Sequence, residues 1–194
     1  MRAKTIFAGV LGALLFTLPA AAQRGADQEA EAKAEAARLA ADPALSAQAN
    51  ADFLANNLKQ PGVQHRADGL QYKIIQNGFG RHPVTGDSVE VYYTGKLING
   101  KVFDGTSPGL PFTLTVTMGQ IIAGWVEALQ MMRVGDHWQI FIPSALGYGS
   151  RPGPDGSIPA NQTLVFDLRL LSATAAPRKG EKGYVPQPGD EDQK

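Results

Sequence analysis

Large apolar side chains recur at every second position near the end of this chain. Trp138, Ile140 and Ile142 form one such run, and Leu164, Phe166, Leu168 and Leu170 form another. Gln139, Asp167 and Arg169 fall between them. Period two is the signature of a strand with one face buried. The same alternation marks Leu70 to Ile74, and Val89 to Thr94 is β-branched and aromatic. Asn99-Gly100 is a hairpin-turn signal that returns the chain through Lys101 to Phe103, and Phe112 to Val116 reads as another strand. Only Gly124 to Met131 breaks the pattern, with Trp125, Leu129 and Met132 at helical spacing. One short helix among about five amphipathic strands predicts an α+β fold: a curved antiparallel sheet wrapped around that helix. A β-sandwich is the alternative.

The ends follow other rules. Arg2 and Lys4 precede an apolar run from Ile6 to Leu18, and Ala20-Ala21-Ala22 supplies small residues for cleavage before Gln23. Residues 1–22 are therefore expected to be a secretory signal peptide. A membrane anchor is the competing reading, but the run is shorter than the roughly 20 residues a bilayer needs. Residues 23–65 form an Ala-rich extension. Gln28 to Ala41 is predicted helical, and Asp42-Pro43 should end it and cap a second helix carrying Phe53, Leu54 and Leu58. With so little apolar bulk, the extension reads as a solvated spacer or weak docking helix rather than a dimerisation or client-binding arm. The compact domain is expected over 66–172, with a disordered, polar tail over 173–194.

Composition removes several function classes. The 194 residues hold no Cys, which excludes disulfides, thiol catalysis and Cys-ligated zinc. Eighteen basic residues balance eighteen acidic ones, so charge gives no reason to expect nucleic-acid binding. No phosphate-binding, serine-hydrolase or zinc-protease motif occurs. His65, His82 and His137 sit in unrelated contexts and are expected at the surface. Asn161-Gln162-Thr163 fits a glycosylation sequon but reads as a turn into the last strand. No cofactor or metal is expected.

Aromatic residues remain. Tyr93, Phe103, Phe112, Trp125, Tyr148 and Phe166 come from different elements. Ordinary core is the simpler account of each alone. Two buried phenols would need hydrogen-bond partners, however, and Asp104 beside Phe103 should not enter a core unpaired. A lined pocket accommodates all of them.

Six stretches, taken in order and at their spacing, resemble the FK506-binding-protein (FKBP) type of peptidyl-prolyl cis-trans isomerase over about Gly69 to Leu171. They are Val91-Tyr92-Tyr93-Thr94-Gly95, Gly100-Lys101-Val102-Phe103-Asp104, Ile121-Ile122-Ala123-Gly124-Trp125, Met132-Arg133-Val134-Gly135, Leu146-Gly147-Tyr148-Gly149, and Ile158-Pro159 leading to Thr163-Leu164-Val165-Phe166. Residues 51–76 are similar to the secreted bacterial branch, the macrophage infectivity potentiator and FkpA-like enzymes, in which a helical segment precedes the isomerase domain. The resemblance implies Trp125 as pocket floor and Tyr93, Phe103, Phe112, Ile121 and Phe166 as walls. It implies the Ile122 N–H and Tyr148 hydroxyl as donors to a substrate carbonyl. Asp104 would be the polar residue beside the reacting amide, and Ile158 part of a closing loop. Leu114, Gln120 and Leu146 depart from residues common in the family.

The implied function is isomerisation of X-Pro bonds during folding of exported proteins in the periplasm or at the outer membrane. Its partners would be proline-containing unfolded or partly folded polypeptides and FK506-like macrolides, with no nucleic acid. The chain is expected as a monomer or weak homodimer. The alternative is a chaperone or binding module on the same fold with little isomerase activity.

Overall fold

A computed structural model describes residues 20–177. Residues 1–19 of the expected signal peptide (1–22) and residues 178–194 of the expected tail (173–194) lie outside the described residues. The elements in order are α1 (Ala20–Ala40), α2 (Ala47–Asn57), β1 (Val63–His65), β2 (Gln71–Gln76), β3 (Ser88–Leu97), β4 (Val102–Gly105), β5 (Phe112–Thr115), α3 (Ala123–Met131), β6 (His137–Ile142) and β7 (Leu164–Thr174). No helix among the described residues is long and apolar enough to cross a membrane.

All seven strands join one antiparallel sheet in the order β1-β2-β6-β7-β3-β4. The free edge of β3 is shared: Ser88–Val91 pairs with β5, and Thr94–Lys96 pairs with β4. The reading of about five strands left the hairpin return β4 uncounted and missed only β1. β1 has only three residues, too few to show alternation, and the boundary at residue 65 had placed it in the extension. β7 continues to Thr174, two residues past the expected domain end.

The alternating residues face as their period requires. Ile140, Leu168 and Val91 are fully buried on the inner face, where α3 packs with Trp125, Leu129 and Met132. The helix sits close because residue 124 is glycine: a Cβ there would lie 2.6 Å from Ile142 Cγ2. Buried Asp136 secures the turn after α3, accepting from the Arg133 N–H at 2.7 Å and from the Gly78 N–H.

The extension docks on the outer face. Leu39 and Leu45 are buried, and Phe53 of α2 meets Phe141 of β6 with centroids 6.0 Å apart. Asp42 does not cap α2 as expected. It caps a 3-10 turn, Pro43–Leu45, accepting from the Ala44 N–H at 2.9 Å, while Ser46 caps α2 through the Ala49 N–H. A proline at the first position suits the tighter turn as well as it suits an α-helix. Leu58, expected on the α2 stripe, is exposed beyond its end.

Candidate active site

Where β3 leaves β5 for β4, its inner face carries Tyr93 and Gly95. Phe166 on β7 lies opposite Gly95 in register, and Trp125 rises from the first turn of α3. The three rings meet edge to face. Tyr93 and Trp125 are 5.0 Å apart at 88°, and Trp125 and Phe166 are 5.3 Å apart at 83°. Phe103 on β4 stands on Phe166 at 5.6 Å and 88°, and Phe112 on β5 meets Tyr93 at 5.9 Å. This geometry suits the ring quadrupoles.

These rings enclose a cavity of about 180 Å³. Ile121, Ile122, Gln120, Asp104 and Tyr148 complete its lining. Trp125 is 5% exposed and so forms a floor, whereas Phe112 is 46% exposed at the open side. Nine of the ten expected site residues line this one space. The tenth, Ile158, is buried instead in the long loop between β6 and β7. There it lines an adjoining cavity of about 260 Å³ with Phe103, Asp104, Tyr148 and Asp155.

Polar groups gather at the mouth. The Tyr93 hydroxyl donates to Asp104 Oδ2 at 2.6 Å, and the Gly105 N–H donates to Asp104 Oδ1 at 2.8 Å. Asp104 is exposed, so its carboxylate keeps water as well as these donors. Burial, and then the bond to Asp104, push the Tyr93 phenol far above its ordinary pKa. Burial, and then the charges of Asp104 and Asp155, raise that of Tyr148. Both phenols therefore remain O–H donors at neutral pH. Trp125 Nε1 is buried with no hydrogen-bond partner. An orphaned donor of this kind is destabilising, by about 1–3 kcal/mol.

The histidines stand apart from the cavity. His65 and His82 are exposed as expected. His137 is not a free surface residue: it is only partly exposed, with Nε2 2.8 Å from Asp167 Oδ1. Asn161 does make the expected turn, in the left-handed region at φ 61°. Sequence reasoning treated Gln120 as a departure from the family rather than as a lining residue. It also passed over Asp155, which a Pro-Asp-Gly-Ser turn could have signalled.

An aromatic-lined cavity of about 180 Å³ between the sheet and its helix is the arrangement that the resemblance to a rotamase domain implies. The chain belongs to the FKBP-type peptidyl-prolyl cis-trans isomerase family. Residues 80–171 match the family model of that description, and residues 6–74 match the domain amino-terminal to it. The chain is 46% identical over 125 residues to "Outer membrane protein MIP" of Legionella longbeachae, covering 64% of this chain and 52% of that one. It is 41% identical over 145 residues to the "FKBP-type 22 kDa peptidyl-prolyl cis-trans isomerase" of Escherichia coli K12, covering 74% and 68%. The crystal structure of FkpA from Escherichia coli superposes with a TM-score of 0.64 at 32% identity, covering 82% of this chain and 75% of that one. The matched stretch thus spans about half the length of the Legionella relative.

Proposed function

We propose that the chain catalyses cis-trans isomerisation of X-Pro bonds in unfolded or partly folded polypeptides. The observation that carries this reading is the aromatic cavity with its polar mouth, in a chain of this family. Amide resonance sets a rotational barrier of about 18–20 kcal/mol. The planar amide is more charge-separated than the twisted one. A cavity walled by Tyr93, Phe103 and Phe166 over Trp125 replaces water around the amide, and so disfavours the planar form relative to the transition state.

We assign the remaining roles as the family resemblance implies them, to residues that line the two cavities. The proline ring fits against Trp125. Tyr148 donates to a carbonyl from the mouth, the Ile122 N–H serves likewise, and Asp104 lies beside the rotating amide. Ile121 and Phe112 bound the substrate, and Ile158 holds the covering loop. A thousandfold acceleration requires only about 4 kcal/mol of preference for the twisted state. No bond to the protein is formed.

The same cavity would accept FK506-like macrolides. We read the chain as exported, in the periplasm or outer-membrane-associated. Support comes from the signal-like residues 1–22 and from the name of the Legionella relative, which is that protein's own. We also read it as a leader, an extension, an isomerase domain and a tail, active as a monomer or weak homodimer.

The test is cis-to-trans conversion of a short Xaa-Pro-Phe peptide with and without FK506. Drug-sensitive turnover is expected. Drug binding without turnover would instead leave a binding module or chaperone on this fold.

A further inference from the structure

The extension does more than rest on the sheet, because a buried amide cluster joins it to the loop over the cavity. Asn50 of α2 is 5% exposed and Gln162 is 6% exposed. Asn50 Nδ2 donates to Gln162 Oε1 at 3.1 Å, to Leu45 O at 3.1 Å and to Ser46 O at 3.0 Å. Asn50 Oδ1 accepts from the Thr163 N–H at 2.7 Å. Gln162 Nε2 donates to Leu45 O at 3.0 Å and to Ala160 O at 3.1 Å. Donors and acceptors on both amides are thus engaged, which rigidifies such a cluster.

The cluster leads toward Tyr148. Between Ala160 and Gln162, the Asn161 N–H donates to Gly149 O at 2.8 Å. Gly149 follows Tyr148 directly. The tie therefore runs from Asn50, through the 160–163 backbone, to the residue beside the phenol. Asn161 holds its left-handed backbone within that tie. The extension also reaches the far end of the same loop, where a Cβ at Gly156 would lie 3.6 Å from Ala36 of α1. Two further contacts fix α1 and its exit against the β3–β4 hairpin: the Lys101–Glu35 ion pair, and the bond from Asn99 Nδ2 to Asp42 Oδ2 at 2.9 Å. Neither Asn50 nor Gln162 lines either cavity.

We infer that Asn50 is a positioning residue for the Tyr148 hydroxyl, acting across the amide cluster and the Asn161–Gly149 bond. This inference rests on the proposed isomerase reading for the role of Tyr148. It makes the extension part of the working site without any contact to substrate.

The test is a double-mutant cycle in the full chain: Asn50→Ala, Tyr148→Phe and both together, with Gln162→Ala as a second break in the same tie. Turnover of an Xaa-Pro-Phe peptide and FK506 titration by tryptophan fluorescence are the readouts. Asn50→Ala is expected to lower kcat/KM about tenfold, as a small misplacement of an active group does. In the Tyr148→Phe background the further loss should be no more than about twofold, the mark of coupled residues. Gln162→Ala should behave as Asn50→Ala does.

Equal losses in both backgrounds would overturn the inference while leaving the isomerase reading intact. So would unchanged turnover in Asn50→Ala, or collapse of the near-UV spectrum in both amide variants, since the cluster would then be merely structural. If the unsubstituted chain binds FK506 without turnover, the isomerase reading fails and the same cycle is read in affinity. A chain that neither turns over nor binds ends both.

Discussion

Tyr93 and Asp104 are joined by a 2.6 Å hydrogen bond that links β3 to β4 across the mouth of the cavity. The phenol lies half-buried against Trp125 while the carboxylate faces water. The bond thereby fixes a carboxylate at the edge of an apolar space, where in the proposed mechanism it would act on the rotating amide. Removing either partner should release the other. Tyr93→Phe and Asp104→Ala are each expected to lower kcat/KM, and the double variant should lose less than the product of the two. Independent, multiplicative losses in peptide assays would show that the two groups act separately.

Phe103 offers the largest single effect on the wall. It stands on Phe166 and lines both cavities. Phe103→Ala would merge the two spaces and admit water to the amide. The ring is only partly buried, so the stability loss should stay below the roughly 3–5 kcal/mol typical of a core Phe→Ala. Turnover is expected to fall by about two decades, equivalent to about 2.7 kcal/mol of transition-state preference. A variant with near-normal turnover and a lowered melting temperature would make Phe103 a packing residue only.

Gly95 tests the wall from behind. A Cβ there would lie 2.6 Å from Phe103 Cε2 and Cζ and 2.8 Å from Phe166 Cε1. Both rings would have to shift, and both are walls. Gly95→Ala is expected to cost about 1–3 kcal/mol of stability, as overpacking does. It should also weaken FK506 binding, although residue 95 does not line the cavity. Unchanged affinity, measured by tryptophan fluorescence, would show that the rings can yield without closing the pocket.

Much of this architecture was legible because period two and period 3.6 are written directly in the apolar residues. Trp138, Ile140 and Ile142 fixed the face of β6, and Trp125 with Leu129 fixed that of α3. The aromatic site was legible as a set through its spaced motifs, since Phe103-Asp104 and Leu146-Gly147-Tyr148-Gly149 carry information that a lone ring does not. The docking of the extension was not legible. Besides Leu39, Leu45 and Phe53 it rests on buried amides, Asn50 and Gln162, whose chemistry also suits solvent and turns, and which meet each other across more than a hundred residues. Asn161-Gln162-Thr163 reads as a turn into the last strand, and a turn by itself does not reveal that Gln162 and Thr163 are buried. β1 escaped because three residues cannot display a period. Asp42 was read as the cap of the wrong helix because the two helical starts stand four residues apart and both offer a capping side chain.

Asp87, far from the cavity, sets how the fold meets acid. Burial alone would raise its carboxyl pKa. Hydrogen bonds from the Val84 N–H at 3.0 Å and Arg81 Nη1 at 2.5 Å, with the Arg81 charge, outweigh burial and hold it below the ordinary 3.8. Arg81 also donates to Ala173 O at 2.9 Å, so the pair fastens the β2–β3 loop to the end of β7. A depressed carboxyl binds its proton later in the folded than in the unfolded chain. Its contribution is therefore complete above the ordinary value and drains away as pH falls through it toward the folded value. Asp87→Asn should lower stability at pH 7 by about 2 kcal/mol, because it removes a buried, charged acceptor from its hydrogen-bond donors. Urea unfolding at pH 7, 4 and 2.5, roughly spanning the carboxylate range, should show the gap between the two proteins narrowing toward the lowest pH. A gap of constant size would mean that Asp87→Asn leaves the loop's hydrogen bonds unsatisfied for geometric reasons, with charge playing no part.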